Sequence, residues 1–262
     1  MASNDSGVNK ALMAELFKLL AAEQGSDLVR LFGSGGRFPA EPPAIRLPKP
    51  LAKRQAYTLR VDLLHIKPPI WRRLVVASDL TMDQFHAVIQ AAFGWENAHL
   101  HSFELLSPGY DRYMDRLLTR YDVEEEGEEG LAEYDVQLCQ VLVKPGDKVG
   151  YTYDFGDDWR HSIKLEKVTD WNPDAPLAEC VKGRRARPPE DCGGVYGYWR
   201  IVDKASEQDG DEYQSDDQDE EEYEDDWDWT PADFDPEAFD LDRINARLSR
   251  EAEAGFVRDM PF

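Results

Sequence analysis

The stretch Lys148–Val168, KVGYTYDFGDDWRHSIKLEKV, decides the fold of this chain. Large apolar or aromatic side chains alternate with smaller or polar ones on both sides of Gly156-Asp157-Asp158. A period of two is typical of a strand with one buried face, and a Gly-Asp-Asp break between two such runs is typical of a hairpin turn. The stretch therefore predicts two adjacent antiparallel strands, Lys148–Phe155 and Trp159–Val168.

The residues on the N-terminal side of this hairpin extend the same pattern. Alternation over Tyr57–Leu63, Ile70–Val76 and His99–Leu106 predicts three more strands, the last with both of its histidines on one face. Between them, Thr81-Met82-Asp83-Gln84 fits a capping box, and Gly94 is a typical C-terminal stop. A helix over residues 82–93 is therefore expected.

The C-terminal half is less regular. Val136–Val143 and Tyr196–Val202 each fit a short helix or a strand. Asp235-Pro236-Glu237 is typical of a helix start, with a closing helix to follow. The basic residues between the last two patterned segments are expected in a loop: Lys182, Arg184, Arg185 and Arg187.

These elements predict an α+β fold. We expect a mostly antiparallel curved sheet packed by one or two helices, with an N-terminal helical appendage over residues 1–31. A Gly- and Pro-rich linker covers residues 32–50, the main domain covers 51–250, and a tail covers 251–262.

The formal charge of −23 is concentrated in two acidic inserts, at 122–133 and 206–229. Asp122–Glu133 holds seven acidic residues and Glu207–Asp228 holds fourteen, without one Lys or Arg, so the rest of the chain is near −2. Such runs are typical of solvated, flexible segments. The alternative is docking to a basic protein partner or mimicry of nucleic acid, because aromatic residues lie within the second run.

Several classes of protein are excluded by what the sequence lacks. It has no apolar run long enough to span a membrane, no secretory signal pattern, and three cysteines without close pairing. It also lacks a Walker loop, a Gly-x-Gly-x-x-Gly motif and a Gly-x-Ser-x-Gly motif. We therefore expect a cytoplasmic protein that is not a nucleotide-driven motor, a Rossmann oxidoreductase or an ordinary serine hydrolase.

Four motifs stand in a recognisable order along residues 55–250. They are Ile66–Arg73, Phe93-Gly94-Trp95 with His99–Phe103, Tyr151–His161, and Pro188–Gly194; the closing segment Ile244–Leu248 follows them. In these motifs the chain resembles the plasmid ORF-three-like family, first named from a root-inducing plasmid and also labelled as insertion-element passenger proteins. The resemblance implies a compact α+β domain associated with mobile elements, and it implies no particular activity. The resolvase label that some members carry is not supported, because the N-terminus offers no nucleophilic serine set among arginines.

The histidines of these motifs are candidate metal ligands. His99 and His101 share one face of a predicted strand, and His161 lies on the apolar-looking face of another. If the strands are neighbours, three imidazoles could converge on a divalent metal such as zinc, with Cys192 or Glu190 as a fourth ligand. The alternative is that all three histidines are hydrogen-bonded core residues.

Carboxylates and aromatic residues surround the same motifs. Clustered carboxylates bind cations and orient water, but they also form ordinary turns, and aromatic residues can stack bases or simply fill a core. We expect the loop Trp95–His101, the hairpin Asp154–His161 and the loop Glu190–Gly194 to meet at one concave site. The predicted function is a binding or accessory module, with nucleic acid or a basic protein as partner; the alternative is a metal-dependent hydrolase acting on phosphodiesters. The candidate ligand-binding residues are Trp95, His99, His101, Tyr153, Asp154, Asp158, Trp159, His161, Glu190 and Asp191.

Overall fold

A computed structural model describes residues 46–105, 116–207 and 234–256. The N-terminal helical segment, most of the linker, the acidic run from residue 208 and the end of the tail lie outside these ranges. None of the helices in the described ranges has the length and apolar character that a membrane crossing requires.

Seven antiparallel strands form one sheet, in the order β4-β3-β5-β6-β1-β2-β7. The strands are β1 (Gln55–Leu63), β2 (Trp71–Ala77), β3 (His101–Leu105), β4 (Arg116–Leu117), β5 (Lys148–Tyr153), β6 (Trp159–Asp170) and β7 (Ala178–Arg184). The helices are α1 (Met82–Phe93), α2 (Arg120–Glu124), α3 (Leu138–Val141), α4 (Gly194–Glu207) and α5 (Leu241–Glu253), with a 3₁₀ turn at Glu133–Asp135. The predicted α+β class with a mostly antiparallel sheet is confirmed.

The hairpin between β5 and β6 forms as the sequence predicts, with Tyr151 opposite His161. The first strand ends at Tyr153 rather than Phe155, because Asp154 takes a left-handed backbone conformation with φ 56°. The amide of Asp158 then donates to the carbonyl of Asp154 at 2.7 Å and closes the turn. Asp154 is therefore the first residue of the turn, with its side chain at the end of a strand.

The hydrophobic core lies between one face of the sheet and α1. Phe85, Val88 and Ile89 of α1 are fully buried, as are Tyr151 and Trp159 of the hairpin. Helix α1 spans the predicted residues because its ends are specified locally. The side chain of Gln84 accepts a hydrogen bond from the Thr81 amide at 3.1 Å, and Gly94 ends the helix in the left-handed region.

Two C-terminal predictions are wrong in detail. Lys182 and Arg184 belong to strand β7, opposite Arg73 and Trp71, and not to a loop. The strand is hard to recognise because the buried positions near its start carry the small residues Ala178 and Cys180. The closing helix begins at Leu241, where the Asp240 side chain accepts from the Arg243 amide at 2.9 Å, and not after Pro236.

The first acidic insert is more ordered than a purely solvated segment. Its middle, residues 124–130, is exposed as expected. Its two ends are held by the fold, because Asp122 forms a salt bridge with Arg116 at 2.9 Å and Glu133 is buried. In the exposed middle, Glu128 also forms a salt bridge with Arg116, at 3.0 Å.

Candidate functional site

Three connecting segments meet at one place on the described surface. They are residues 94–100 after α1, the turn 154–158 between β5 and β6, and residues 188–194 before α4. The Glu96 amide donates to Glu190 Oε1 at 2.9 Å, and the Asp154 amide donates to the Leu100 carbonyl at 2.9 Å. These hydrogen bonds hold the three segments against one another.

His99 lies at the centre of this meeting point. Its Nε2 is 3.1 Å from Asp191 Oδ1, 3.7 Å from Asp154 Oδ2 and 3.9 Å from Glu190 Oε2. The ligating atoms of His99, Asp154 and Asp191 all lie within 4.8 Å of one another. Nε2 is shielded from solvent, and it forms no hydrogen bond with any of these carboxylates. A buried ring nitrogen that faces carboxylates and bonds none of them fits a site that holds a cation between them.

The backbone at Asp154 fixes one of these carboxylates. Oδ1 accepts hydrogen bonds from the amides of Gly156 at 2.9 Å and Asp157 at 3.3 Å, which is an Asx-type turn. Oδ2 is the oxygen that faces His99. The Asp154 side chain is 9% exposed, whereas the Asp191 side chain is 70% exposed. The cluster therefore has one rigid, buried side and one side open to solvent.

Glu190 and Tyr153 connect the segments behind the cluster. The Tyr153 hydroxyl accepts from the Ala98 amide at 3.0 Å and lies 3.4 Å from both carboxylate oxygens of Glu190. Burial raises the pKa of Glu190 above its usual value, against the lowering effects of the Glu96 amide and Arg187. Tyr153 therefore holds the loop of His99 and the loop of Glu190 in one arrangement.

Comparison with known proteins identifies the family of this chain. Residues 55–243 match the family model of plasmid pRiA4b ORF-3-like proteins. The chain belongs to that family. It is also 30% identical over 200 residues to the uncharacterized protein y4hQ of Sinorhizobium fredii, covering 74% of this chain and 94% of that protein. The crystal structure of the protein of unknown function MM3350 from Methanosarcina mazei Go1 is similar, with a TM-score of 0.56 and 32% identity over 73% of this chain and 97% of the other.

In this ORF-3-like chain, His101 is not part of the cluster around His99. Its Nε2 lies 3.0 Å from Glu133 Oε2, and its ring stacks on His86 with the centroids 3.5 Å apart. The physical reason is that β3 begins at His101 and not at His99. Asn97 has a φ of 57°, so the chain is still turning there and the period of two does not extend back to His99.

His161 is also separate from the cluster. Its ring packs edge-on against Phe93 and Trp95, and its Nδ1 is 3.3 Å from the Tyr151 carbonyl. Burial lowers the pKa of His161 to about 3, so the ring is neutral at ordinary pH. The expected set of three imidazoles therefore does not form within the described ranges; His99 pairs with carboxylates instead.

The remaining candidate residues lie either behind the cluster or at its solvent-exposed edge. Trp95, Tyr153 and Trp159 are buried, with Trp95 packed 5.0 Å from Tyr153, so they shape the site from behind. Asp158 lies at the rim, where it accepts from Arg160 at 2.8 Å. Cys192 is buried and is not a member of the cluster, and burial raises the pKa of its thiol to about 12, which does not suit a nucleophile.

Sequence reasoning missed the polar residues that support these loops. Asn97 is buried, and its side-chain oxygen lies 2.6 Å from His86 Nε2. The Gln90 side chain accepts from the Asn97 amide at 3.0 Å. Asn97 is the one residue whose type indicates a bend between α1 and β3, because Asn tolerates the left-handed backbone conformation found there.

Proposed function

We propose that this ORF-3-like protein is a binding module for a divalent metal ion, held where its three motifs meet. The ligands are His99 Nε2 and the carboxylates of Asp154 and Asp191. The observation that carries the proposal is the shielded, unpartnered Nε2 of His99, aimed at carboxylate oxygens 3.1–3.9 Å away. An unsatisfied buried polar atom costs stability, so a ligand that satisfies it explains its presence.

The distances support a shared ion. Bonds from zinc to imidazole nitrogen or carboxylate oxygen are about 2.1 Å, so two donors at a tetrahedral angle lie about 3.4 Å apart. Nε2 of His99 is 3.1 Å from Asp191 Oδ1 and 3.7 Å from Asp154 Oδ2. Together with the 4.8 Å limit on all three separations, these distances are compatible with one shared ion.

The donor set indicates which ions fit. One imidazole with two or three carboxylates is a mixed nitrogen and oxygen site, which suits Zn²⁺ or Mn²⁺. Mg²⁺ and Ca²⁺ prefer oxygen ligands throughout, so His99 favours a transition metal or zinc over them.

A metal-dependent hydrolase is the second candidate, and the exposure of Asp191 favours it. Catalytic metal sites keep an open position for water or substrate, and structural sites are closed. With Asp191 70% exposed, the ion would have coordination positions open to solvent. The reaction class is metal-assisted hydrolysis, and a chromogenic phosphodiester assayed with and without Zn²⁺ or Mn²⁺ tests it.

The decisive experiment is calorimetric titration of the full chain with Zn²⁺ and Mn²⁺. His99→Asn and Asp154→Asn should each lower the affinity about tenfold or more. The Asn at position 154 retains an oxygen for the turn while it loses the charge, so the fold should be kept.

Two substitutions serve as matched controls, because they make the same chemical changes away from the cluster. His65 and Asp174 are both exposed, so His65→Asn and Asp174→Asn should bind the ion like the wild type. Wild-type protein that binds neither ion, or control variants that lose affinity as strongly as the site variants, would overturn the proposal.

A further inference from the structure

Four arginines line a cavity on the surface formed by α5 and residues 186–189. The cavity has a volume of about 350 Å³, and its arginines are Arg72, Arg187, Arg243 and Arg247. None of the residues that line it is a member of the His99, Asp154 and Asp191 cluster.

The two more buried arginines bond only to neutral acceptors. Arg72 donates to the carbonyls of Ala92, Trp71 and Arg184 at 2.9–3.1 Å. Burial lowers the pKa of Arg72 to about 10. Carbonyls satisfy the donors of a guanidinium, but they leave its charge uncompensated.

Arg187 is held in the same way. It donates to the carbonyls of Gly94 at 3.2–3.3 Å and Pro188 at 2.7 Å. Burial lowers its pKa, and the nearby carboxylates of Glu190 and Glu96 oppose that effect without forming a salt bridge. Arg187 therefore adds a second cation to the wall of the cavity.

Arg243 and Arg247 carry the other two guanidinium groups; that of Arg247 lies against Gly94, and the charge of Glu96 partly offsets the lowering of its pKa. Neither Arg243 nor Arg247 forms a side-chain hydrogen bond or a salt bridge among the described residues, and burial followed by the charges of neighbouring arginines lowers the pKa of Arg247. Asp240 is the carboxylate on the cavity wall, and it caps α5 by accepting from the Arg243 amide. Like charges gathered with so little compensation destabilise the protein unless an anion binds among them.

We propose that this cavity binds the phosphate group of a small ligand. Guanidinium forks match the geometry of phosphate oxygens, and two forks with free donors face this cavity. The rings of Phe93 and Phe239 lie 4.9 Å and 5.1 Å from the Arg72 guanidinium and add an apolar wall for an organic group. The volume lies near the lower end of the range of small-molecule sites, about 300–1,000 Å³.

Titration calorimetry with the full chain tests the proposal, with inorganic phosphate and AMP as probes. The double variant Arg243→Gln/Arg247→Gln should lower the association constant about tenfold or more, since each arginine supplies charge-assisted hydrogen bonds. The control Arg46→Gln/Arg184→Gln removes the same charge at two exposed arginines and should stay within about twofold of the wild type. Circular dichroism spectra of both double variants should match that of the wild type. If Arg243→Gln/Arg247→Gln does not fold, Arg247→Lys takes its place, because it keeps the charge but removes the guanidinium fork, and it should still weaken binding.

The arms of the experiment separate the possible ligands and sites. Tighter binding of AMP than of phosphate identifies a phosphorylated organic ligand, and equal binding identifies free phosphate; both support the proposal. Binding that His99→Asn abolishes would place the anion at the metal cluster instead. The inference would be overturned by that result or by succinate binding as tightly as phosphate. It would also be overturned if neither phosphate nor AMP showed saturable binding below about 10 mM.

Discussion

The guanidinium of Arg247 occupies the space in which a Cβ of residue 94 would lie, so Gly94 and Arg247 can meet only because position 94 is glycine. Gly94 has a φ of 91° and closes α1 by donating its amide to the Gln90 carbonyl at 2.7 Å. Its own carbonyl accepts from Arg187. The end of α1 is therefore fixed against α5 through one glycine and two arginines.

A residue with a Cβ loses about 1–2 kcal/mol of stability in the left-handed backbone conformation. Gly94→Ala should lower the free energy of unfolding by more than this amount. The additional loss comes from the displaced Arg247 side chain. Gly146→Ala is the matched control, because Gly146 has a φ of 101° and nothing within 4 Å of an added Cβ. Chemical denaturation of both variants measures the difference. Equal losses would show that the Arg247 contact contributes nothing to stability.

Tyr153→Phe should cost about 1–2 kcal/mol, because it removes the acceptor of the Ala98 amide and a contact with Glu190. The variant should also bind Zn²⁺ more weakly, since the loop that carries His99 loses its anchor. Tyr57→Phe, at a tyrosine of another strand that is equally buried, should leave metal binding unchanged. If Tyr153→Phe binds the ion as the wild type does, the anchoring role is wrong.

The parts of the fold that the sequence predicts well are those specified by neighbouring residues. The Lys148–Val168 hairpin has aromatic residues at a period of two and a Gly-Asp-Asp break, and α1 has a capping box at one end and Gly94 at the other. Each signal lies within a few residues of the structure it specifies. Strand β7 lacks such a signal, because small residues occupy its buried positions and a bulge interrupts its pairing with β2.

The candidate site was predicted only in part, for a related reason. Its location follows from motifs rich in turn-forming polar residues, and all three motifs do meet. The ligand set depends on where β3 begins, and a bend at Asn97 separates His99 from the strand that holds His101. Partners far apart in sequence, such as His101 and Glu133, have no local pattern that pairs them.

The cysteines should be unreactive in the folded protein. Cys139, Cys180 and Cys192 are all buried, and burial raises the pKa of both Cys180 and Cys192. Because the thiolate is the reactive form, a colorimetric thiol reagent at pH 8 should label the native protein slowly and all three cysteines rapidly in guanidinium chloride. Rapid labelling of one thiol in the native protein would show that its surroundings open easily, and mass spectrometry would identify which one.

His101 and Glu133 should make stability depend on pH in two opposite ways. Burial raises the pKa of Glu133 to about 8, so the folded state binds a proton that the unfolded state releases at lower pH. The contribution of Glu133 is therefore fully present below its ordinary pKa and is lost as the pH rises toward 8. Burial lowers the pKa of His101 to about 3, so its contribution is present above its ordinary pKa and is lost as the pH falls toward 3.

Glu133→Gln separates these two effects, because glutamine keeps a hydrogen-bonding side chain of similar size and cannot ionise. Between pH 5 and pH 8 the wild type should lose stability relative to the variant as the pH rises, since only the wild type must keep a buried carboxyl protonated or bury its charge. Below pH 5 the two profiles should fall together, because the variant retains His101. Urea denaturation midpoints at several pH values measure both profiles, with Glu129→Gln as a control at an exposed carboxylate. Profiles of wild type and Glu133→Gln that stay parallel from pH 5 to pH 8 would mean that Glu133 takes up no proton on folding, so that burial does not raise its pKa.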